Sequence, residues 1–196
     1  IIWKINQKSI KNPIHSDNIV LNYNKALIYL NFFIIKSFFY GIKMSSIEQE
    51  FVNEVYSNIS EHFSDTRFCI WDFVKMFLDS KAKNMKGIDI GCGNGKNMRY
   101  NSELTIDGID NCSNFVNICC ENNLNVKLGN CLCIPCQSNN YDYAMSIAVY
   151  HHMASDEHRI TAISEMIRCL KHGGHGIFSV WSINNKDGEK IKRNFK

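Results

Sequence analysis

The stretch Gly87-Ile88-Asp89-Ile90-Gly91-Cys92-Gly93-Asn94-Gly95-Lys96 decides the fold. A short apolar run carries Asp89 and leads straight into glycines at alternate positions, Gly91, Gly93 and Gly95. Glycine has no Cβ, so a backbone rich in it turns sharply and approaches a ligand closely. The spacing is G-x-G-x-G and not the G-x-G-x-x-G of dinucleotide sites. An acid two residues before the first glycine completes a strand-then-loop pattern in which backbone N–H groups face a bound molecule.

Outward from that loop, strands alternate with helices. The apolar spacing predicts a strand at 87–91, a helix after the glycine loop, a strand at 104–110 and a helix at 113–121. Further strands are expected at 125–129, 141–147 and 176–181. An amphipathic helix over 155–170 should bury Ile160, Ile163, Ile167 and Leu170 and stop at Gly173-Gly174. Upstream, Ser46 and Gln49 have capping-box spacing before a helix carrying Phe51, Val52, Val55, Tyr56 and Ile59. A second short helix should turn Trp71, Val74, Phe77 and Leu78 to one face. Such alternation means a mostly parallel sheet with right-handed crossovers.

The 196 residues have room for one ordinary domain, with apolar residues at 45% and charged residues at 21%. A net charge of +3 permits contact with RNA without arguing for it. Nine cysteines, an odd number, point to free thiols in a reducing compartment. The chain divides into an upstream segment 1–43, which reads as a translated leader ahead of Met44, a domain over 44–182 and a polar basic tail over 183–196. The apolar run Ala26–Ile42 is broken by Asn31 and Lys36 and falls short of the ~20 residues a membrane span needs, so a membrane role is not expected.

The Asp-Ile-Gly-Cys-Gly-Asn-Gly-Lys run resembles the first motif of class I S-adenosylmethionine-dependent methyltransferases. The resemblance implies a Rossmann-like α/β fold with helices on both faces of the sheet, and S-adenosylmethionine as cofactor. In that fold ligands sit beyond the carboxyl ends of the strands. The loop Gly91, Cys92, Gly93, Asn94 and Gly95 is then expected near the methionine part of the cofactor. Asp89 would fix the loop or meet the amino group, Asp110 would accept the ribose hydroxyls, Asn130 would meet the adenine edge, and Ile147 would line the site.

A narrower resemblance rests on Ser146-Ile147-Ala148-Val149-Tyr150-His151-His152 and on His62-Phe63-Ser64-Asp65-Thr66-Arg67 with Trp71. Leu170-Lys171-His172-Gly173-Gly174 and Trp181 extend it. These runs are similar to the tRNA methyltransferases that esterify 5-carboxymethyl-uridine at the wobble position. The Asp/Asn-Pro-Pro-Tyr run of amine methylation is not found. A carboxylate is ionised at neutral pH and needs no strong base, so positioning and water exclusion carry the reaction. The resemblance implies Arg67 and Arg159 as partners of the substrate carboxylate or phosphates, with His151 and His152 lining the acceptor pocket. Helix-start packing is the other reading of the histidines, and a solvated face that of the arginines. The family also implies tRNA and a small zinc-binding activator protein as partners, with Asn125–Cys133 on the edge strand as the docking strip. A cytoplasmic location is expected, with the nucleus as alternative.

Cys131, Cys133 and Cys136 have no fourth ligand at zinc-site spacing, so no metal is expected. Two departures from the family stand out. Asn130 replaces the usual Asp, and no C-terminal antiparallel strand pair follows the fifth strand, so the sheet is expected to lack it. The alternatives are a methyltransferase for small-molecule carboxylates and a truncated, non-catalytic fragment that binds cofactor or partner.

Overall fold

A computed structural model describes residues 2–6, 9–11, 45, 52, 54–58, 60 and 69–181. Arg67, the capping-box pair Ser46 and Gln49, and the apolar run Ala26–Ile42 lie outside the described residues. Among the described residues no helix is long and apolar enough to cross a membrane.

The elements in chain order are β1 (Ile2–Asn6), β2 (Ser9–Lys11), α1 (Asp72–Asp79), β3 (Lys86–Ile90), β4 (Thr105–Asp110), α2 (Ser113–Glu121), β5 (Val126–Leu128), β6 (Tyr141–Ile147), a 3-10 turn at Tyr150–His152, α3 (Asp156–Cys169) and β7 (Leu170–Ser179). Residues 54–58 are helical. The seven strands form one sheet in the order β2-β1-β7-β6-β3-β4-β5. The five strands from β3 onward are parallel, as expected.

The hairpin β1–β2 was not legible in the sequence. β1 runs antiparallel to β7, with Ile2 opposite Ser179 and Asn6 opposite His175. The N-terminal strands therefore cover the β7 edge that a five-strand sheet would leave open. Their partner is at the other end of the chain, and short runs such as Ile-Trp-Lys-Ile-Asn carry no local mark of so distant a pairing.

Alternation along the strands builds a core on each side of the sheet. Ile88 and Ile90 of β3 face a cluster with Ala144, Ala162, Met166 and Cys169. Tyr143 and Met145 of β6 face the other side, against Val74, Phe77 and Leu78 of α1 and Cys119 of α2. Asp89, between the two isoleucines, points to this second side and is fully buried.

Three local expectations are corrected. The turns after the glycine loop do not wind into a regular helix; they close through Arg99 N–H to Gly95 O at 3.2 Å and Tyr100 N–H to Asn97 O at 3.3 Å. In α3 the buried face is Ala162, Met166 and Cys169, whereas Ile160 is 41% exposed. Small side chains bring the helix close to the sheet, so Ile163 and Ile167 pack at the flank of the core rather than at its centre. Trp71 precedes α1 and is 41% exposed instead of joining Val74, Phe77 and Leu78 in the core.

β7 starts at Leu170, directly after α3, so Gly173-Gly174 does not stop the helix. The glycines lie at an irregularity in the β6–β7 register, where Gly173 takes φ +82°. A Cβ on Gly174 would stand 2.9 Å from Lys171 O and 3.1 Å from Asp142 O, so the tight bulge requires glycine.

Candidate active site

Strand order reverses between β3 and β6, and a cleft opens at the carboxyl ends of these strands, where such sheets place ligands. Gly91, Cys92, Gly93 and Asn94 of the glycine loop form its floor, whereas Gly95, expected there too, does not line it and faces Leu124 and Cys119. Gly91 N–H and Cys92 N–H both donate to Ile109 O, at 2.8 and 3.0 Å, which ties the start of the loop to the end of β4. Gly91 has φ +72°, and a Cβ there would lie 2.5 Å from Val149 Cγ2. Both conformation and space therefore exclude a side chain.

Asp110 closes β4 beside this loop. Its Oδ2 accepts Gly93 N–H at 2.8 Å and its Oδ1 accepts Cys112 N–H at 2.9 Å. Burial pushes the carboxyl above its ordinary range, while the backbone donors of Cys112, Gly93 and Asn111 hold it down. A carboxylate has about four lone-pair sites, so two backbone bonds leave capacity for the vicinal hydroxyls of a ribose.

Asp89, expected to meet the cofactor, is fully buried and not among the residues lining the cleft; its neighbour Asn97 is. Asn97 Nδ2 donates to Asp89 Oδ2 at 3.4 Å, yet Asp89 Oδ1 and Asn97 Oδ1 have no hydrogen-bond partner. Burial pushes the Asp89 carboxyl up to about 7, with nearby Asp110 adding to the rise and Asn97 and Lys96 opposing it. A buried acceptor without a donor is satisfied by a cationic donor such as an ammonium.

At the far wall, Asn130 lines the cleft beside Gly129 and Cys131. Its Oδ1 accepts Leu132 N–H at 2.9 Å, so the side-chain amide N–H groups are what it offers outward. Ile147 lines the cleft, as does Ala148. Ala148 holds φ +62°, a left-handed conformation rare for alanine, and its N–H donates to Ser179 O at 3.0 Å and to Ser179 Oγ at 3.1 Å. That kink re-aims the chain so that Val149, His151 and His152 face the cleft.

His151 stacks on Trp181 with ring centroids 5.0 Å apart and an interplanar angle of 15°. His152 Nε2 lies 3.1 Å from Tyr56 Oη, and burial lowers its basicity, which favours the neutral ring. Arg159 is placed differently. It is not among the residues lining the cleft; its guanidinium pairs with Asp156 and donates to Met153 O at 2.8 Å. Among the described residues the cation lining the cleft is Lys96, whose Nζ donates to Cys69 O at 3.0 Å and lies 5.8 Å from the Trp71 ring centroid.

Sequence reasoning overlooked Asn97, Lys96, Tyr56 and Phe115 as cleft residues. Lys96 follows the last glycine directly and could have been taken with the loop. Tyr56 and Phe115 reach the cleft only through tertiary packing, with their rings 6.2 Å apart. Cys131, Cys133 and Cys136 differ in exposure, and among the described residues no group of His, Cys, Asp and Glu side chains converges as a metal site.

Residues 88–178 match the family model described as a methyltransferase domain. Over 144 residues, 73% of the chain, the sequence is 40% identical to the tRNA (carboxymethyluridine(34)-5-O)-methyltransferase of Schizosaccharomyces pombe. The aligned part spans 62% of that relative. Among solved structures, a SAM-dependent methyltransferase from Aquifex aeolicus shares the fold with a TM-score of 0.54 at 19% identity, covering 67% of this chain and 76% of that one. A methyltransferase in complex with the Haloferax volcanii Trm112 methyltransferase activator gives a TM-score of 0.51 at 18% identity, covering 63% of this chain and 57% of that one.

The donor-poor acceptors at Asp89 and Asn97, the free capacity of Asp110 and the outward amide of Asn130 suit an ammonium, a ribose and an adenine edge, the three polar parts of one molecule. With that fit and that kinship, residues 88–178 are a methyltransferase domain, similar in sequence to the Schizosaccharomyces pombe tRNA (carboxymethyluridine(34)-5-O)-methyltransferase, and its cofactor is S-adenosylmethionine.

Proposed function

We propose that this protein esterifies the carboxylate of 5-carboxymethyl-uridine at the tRNA wobble position. The observation that carries this reading is the 40% identity, over 144 residues, to the Schizosaccharomyces pombe enzyme named for that reaction. When bound, the cofactor supplies an electrophilic methyl group on a sulfonium. The chain's residues have to hold two reactants in line and exclude water.

The glycine loop, Asp89 with Asn97, Asp110 and Asn130 are the cofactor side. His151, His152, Tyr56, Trp71 and Trp181 are the acceptor side, aromatic faces suited to an unstacked base. A carboxylate nucleophile with a pKa of about 4 is already ionised at neutral pH, so a neutral His152 is no handicap: no proton has to be removed. Lys96 is the described cleft cation that can balance the incoming carboxylate, and Arg67 is a further candidate from sequence. Arg159 belongs to the substrate side only through Met153, whose carbonyl it holds.

The activator, a small zinc-binding protein, is placed at the edge strand β5. That strand has a free side in the sheet order, and Leu128 on it is 59% exposed. The structural likeness to a methyltransferase complexed with Trm112 supports the idea of such a partner. Nine free cysteines fit the cytoplasm, where we place the enzyme. The domain is taken as 44–182 together with the N-terminal strands β1 and β2, which join its sheet.

The test co-expresses the full chain with the activator and supplies S-adenosylmethionine with tRNA carrying carboxymethyl-uridine. Nucleosides are then analysed by mass spectrometry, with Asp110→Ala as control. Methyl ester from the wild type alone supports the reading. Cofactor binding without ester on tRNA, but with ester on small carboxylic acids, would replace tRNA by a small-molecule acceptor; binding with no ester on either would leave a non-catalytic module.

A further inference from the structure

We propose that Cys136 and Cys169 form a dithiol that hydrogen peroxide oxidises to an intramolecular disulfide, clipping the β5–β6 connection onto α3. The two sulfurs are 3.0 Å apart although the residues are 33 positions apart in sequence. A bonded pair stands at about 2.05 Å, so closure needs a shift of about 1 Å, within reach of small side-chain torsions.

The two thiols are unequal in a way that assigns their roles. Cys169 is the last residue of α3 and fully buried. Cys136 is half-buried and lines a small second cavity with Asp107, Lys127 and Tyr141, remote from the glycine loop. A small oxidant therefore reaches Cys136 first. Arg168 brackets this cysteine: its Nη1 donates to Cys136 O at 2.9 Å. Burial and the Cys136 sulfur push the Cys169 thiol up, so it stays protonated until its turn comes.

The chemistry balances. The Cys136 thiolate attacks the peroxide O–O bond and becomes a sulfenic acid, and the departing hydroxide takes up a proton to leave as water. The Cys169 sulfur then attacks the sulfenic sulfur, the S–S bond forms, and the hydroxyl leaves as a second water with the Cys169 proton. Two thiols lose two electrons and one peroxide gains them. The bond closes a loop between the connection that supplies Gly129, Asn130 and Cys131 to the cleft and the helix behind it. No methyl acceptor takes part, so this chemistry is separable from the transfer reaction.

The full chain is treated with hydrogen peroxide, remaining thiols are alkylated, and the digest is read by mass spectrometry. The expected product is one linked peptide joining Cys136 to Cys169, lighter by two hydrogens and reversed by dithiothreitol, with a raised melting temperature. Cys136→Ser and Cys169→Ser should each abolish it; if the buried Cys169→Ser fails to fold, the half-buried Cys136→Ser still decides. A link between Cys92 and Cys119 with Cys136 and Cys169 still alkylated would overturn the assignment. So would over-oxidation of Cys136 to the sulfinic acid with no linked peptide, or a link that leaves the melting temperature unchanged.

Discussion

Asp110 Oδ2 accepts the backbone N–H of Gly93 at 2.8 Å, which makes the acid ending β4 a structural part of the loop following β3. Its other oxygen holds Cys112 N–H at the start of α2. Each carboxylate oxygen therefore faces a donor, and an isosteric amide would set an N–H against an N–H. Asp110→Asn is accordingly expected to behave nearly as badly as Asp110→Ala. Each orphaned backbone donor costs about 1–3 kcal/mol, and cofactor affinity should fall about 100-fold or more. Calorimetry with S-adenosylmethionine checks this; wild-type affinity in Asp110→Asn would show that the loop does not depend on the second oxygen.

Asp89 ties stability to pH in the cofactor-free protein. Its folded-state pKa is raised to about 7 by burial. An unfolded chain has it near its ordinary value of about 3.9. Between these values the folded protein keeps a proton that the unfolded chain has released. The contribution of this group is fully present below pH of about 4 and is lost as pH rises to about 7, at up to about 1.4 kcal/mol per pH unit. Asp89→Asn should flatten that dependence and raise the melting temperature at pH 8, since its amide can also donate to the orphan Asn97 Oδ1. The same variant should bind S-adenosylmethionine about 10-fold more weakly, because the role proposed for Asp89 toward the cofactor's ammonium needs its charge. Melting curves from pH 4 to 8 that run parallel in the two proteins would refute the assignment.

Gly91→Ala combines a conformational and a steric penalty. A residue at φ +72° costs alanine about 1–2 kcal/mol relative to glycine, and its Cβ would press on Val149 Cγ2. Val149 sits beside the strained Ala148, so it cannot yield without disturbing His151 and His152. Both stability and cofactor binding should drop. A double variant, Gly91→Ala with Val149→Ala, should recover part of the loss by removing the clash while leaving the φ penalty. Urea unfolding of the four proteins of this cycle measures the two contributions separately; no recovery would mean that strain alone is responsible.

The sequence reading succeeded where local chemistry and tertiary role agree. Ser113–Glu121 and Tyr141–Ile147 are found at their expected ends, because polar or turn residues bound each one. The loop and its two acids were legible for the same reason: glycine and aspartate have few other uses at the ends of buried parallel strands. What escaped depends on partners far away in the chain. The isoleucine stripe of α3 marked the flank of the buried face rather than its centre, because the approach of helix to sheet favours Ala162 and Cys169, which hydropathy alone ranks lower. The left-handed Ala148 carries no mark in its residue type. Its conformation is imposed by the Ser179 oxygens of β7, as the β1–β2 hairpin is imposed by the other side of that strand.

Arg168 is the clasp of the connection between β5 and β6. Its Nη1 and Nη2 donate to Cys136 O and Ile134 O, each at 2.9 Å, while its Nε holds Glu165 Oε1 at 2.7 Å. Glu165 Oε2 in turn accepts Ile134 N–H at 2.8 Å, so one side-chain pair satisfies both backbone groups of Ile134. Arg168→Ala strips two carbonyls of their donor and leaves a half-buried carboxylate without its cation, which should cost about 2–4 kcal/mol. Arg168→Lys can reach one acceptor as a point charge but cannot fork to three, and should recover less than half. Because this connection carries Asn130 into the cleft, S-adenosylmethionine affinity should weaken several-fold in step with the loosening. Hydrogen exchange at the Ile134 amide reads the clasp directly: it should accelerate strongly in Arg168→Ala and less in Arg168→Lys. Unchanged protection at that amide would show that Glu165 holds the connection alone.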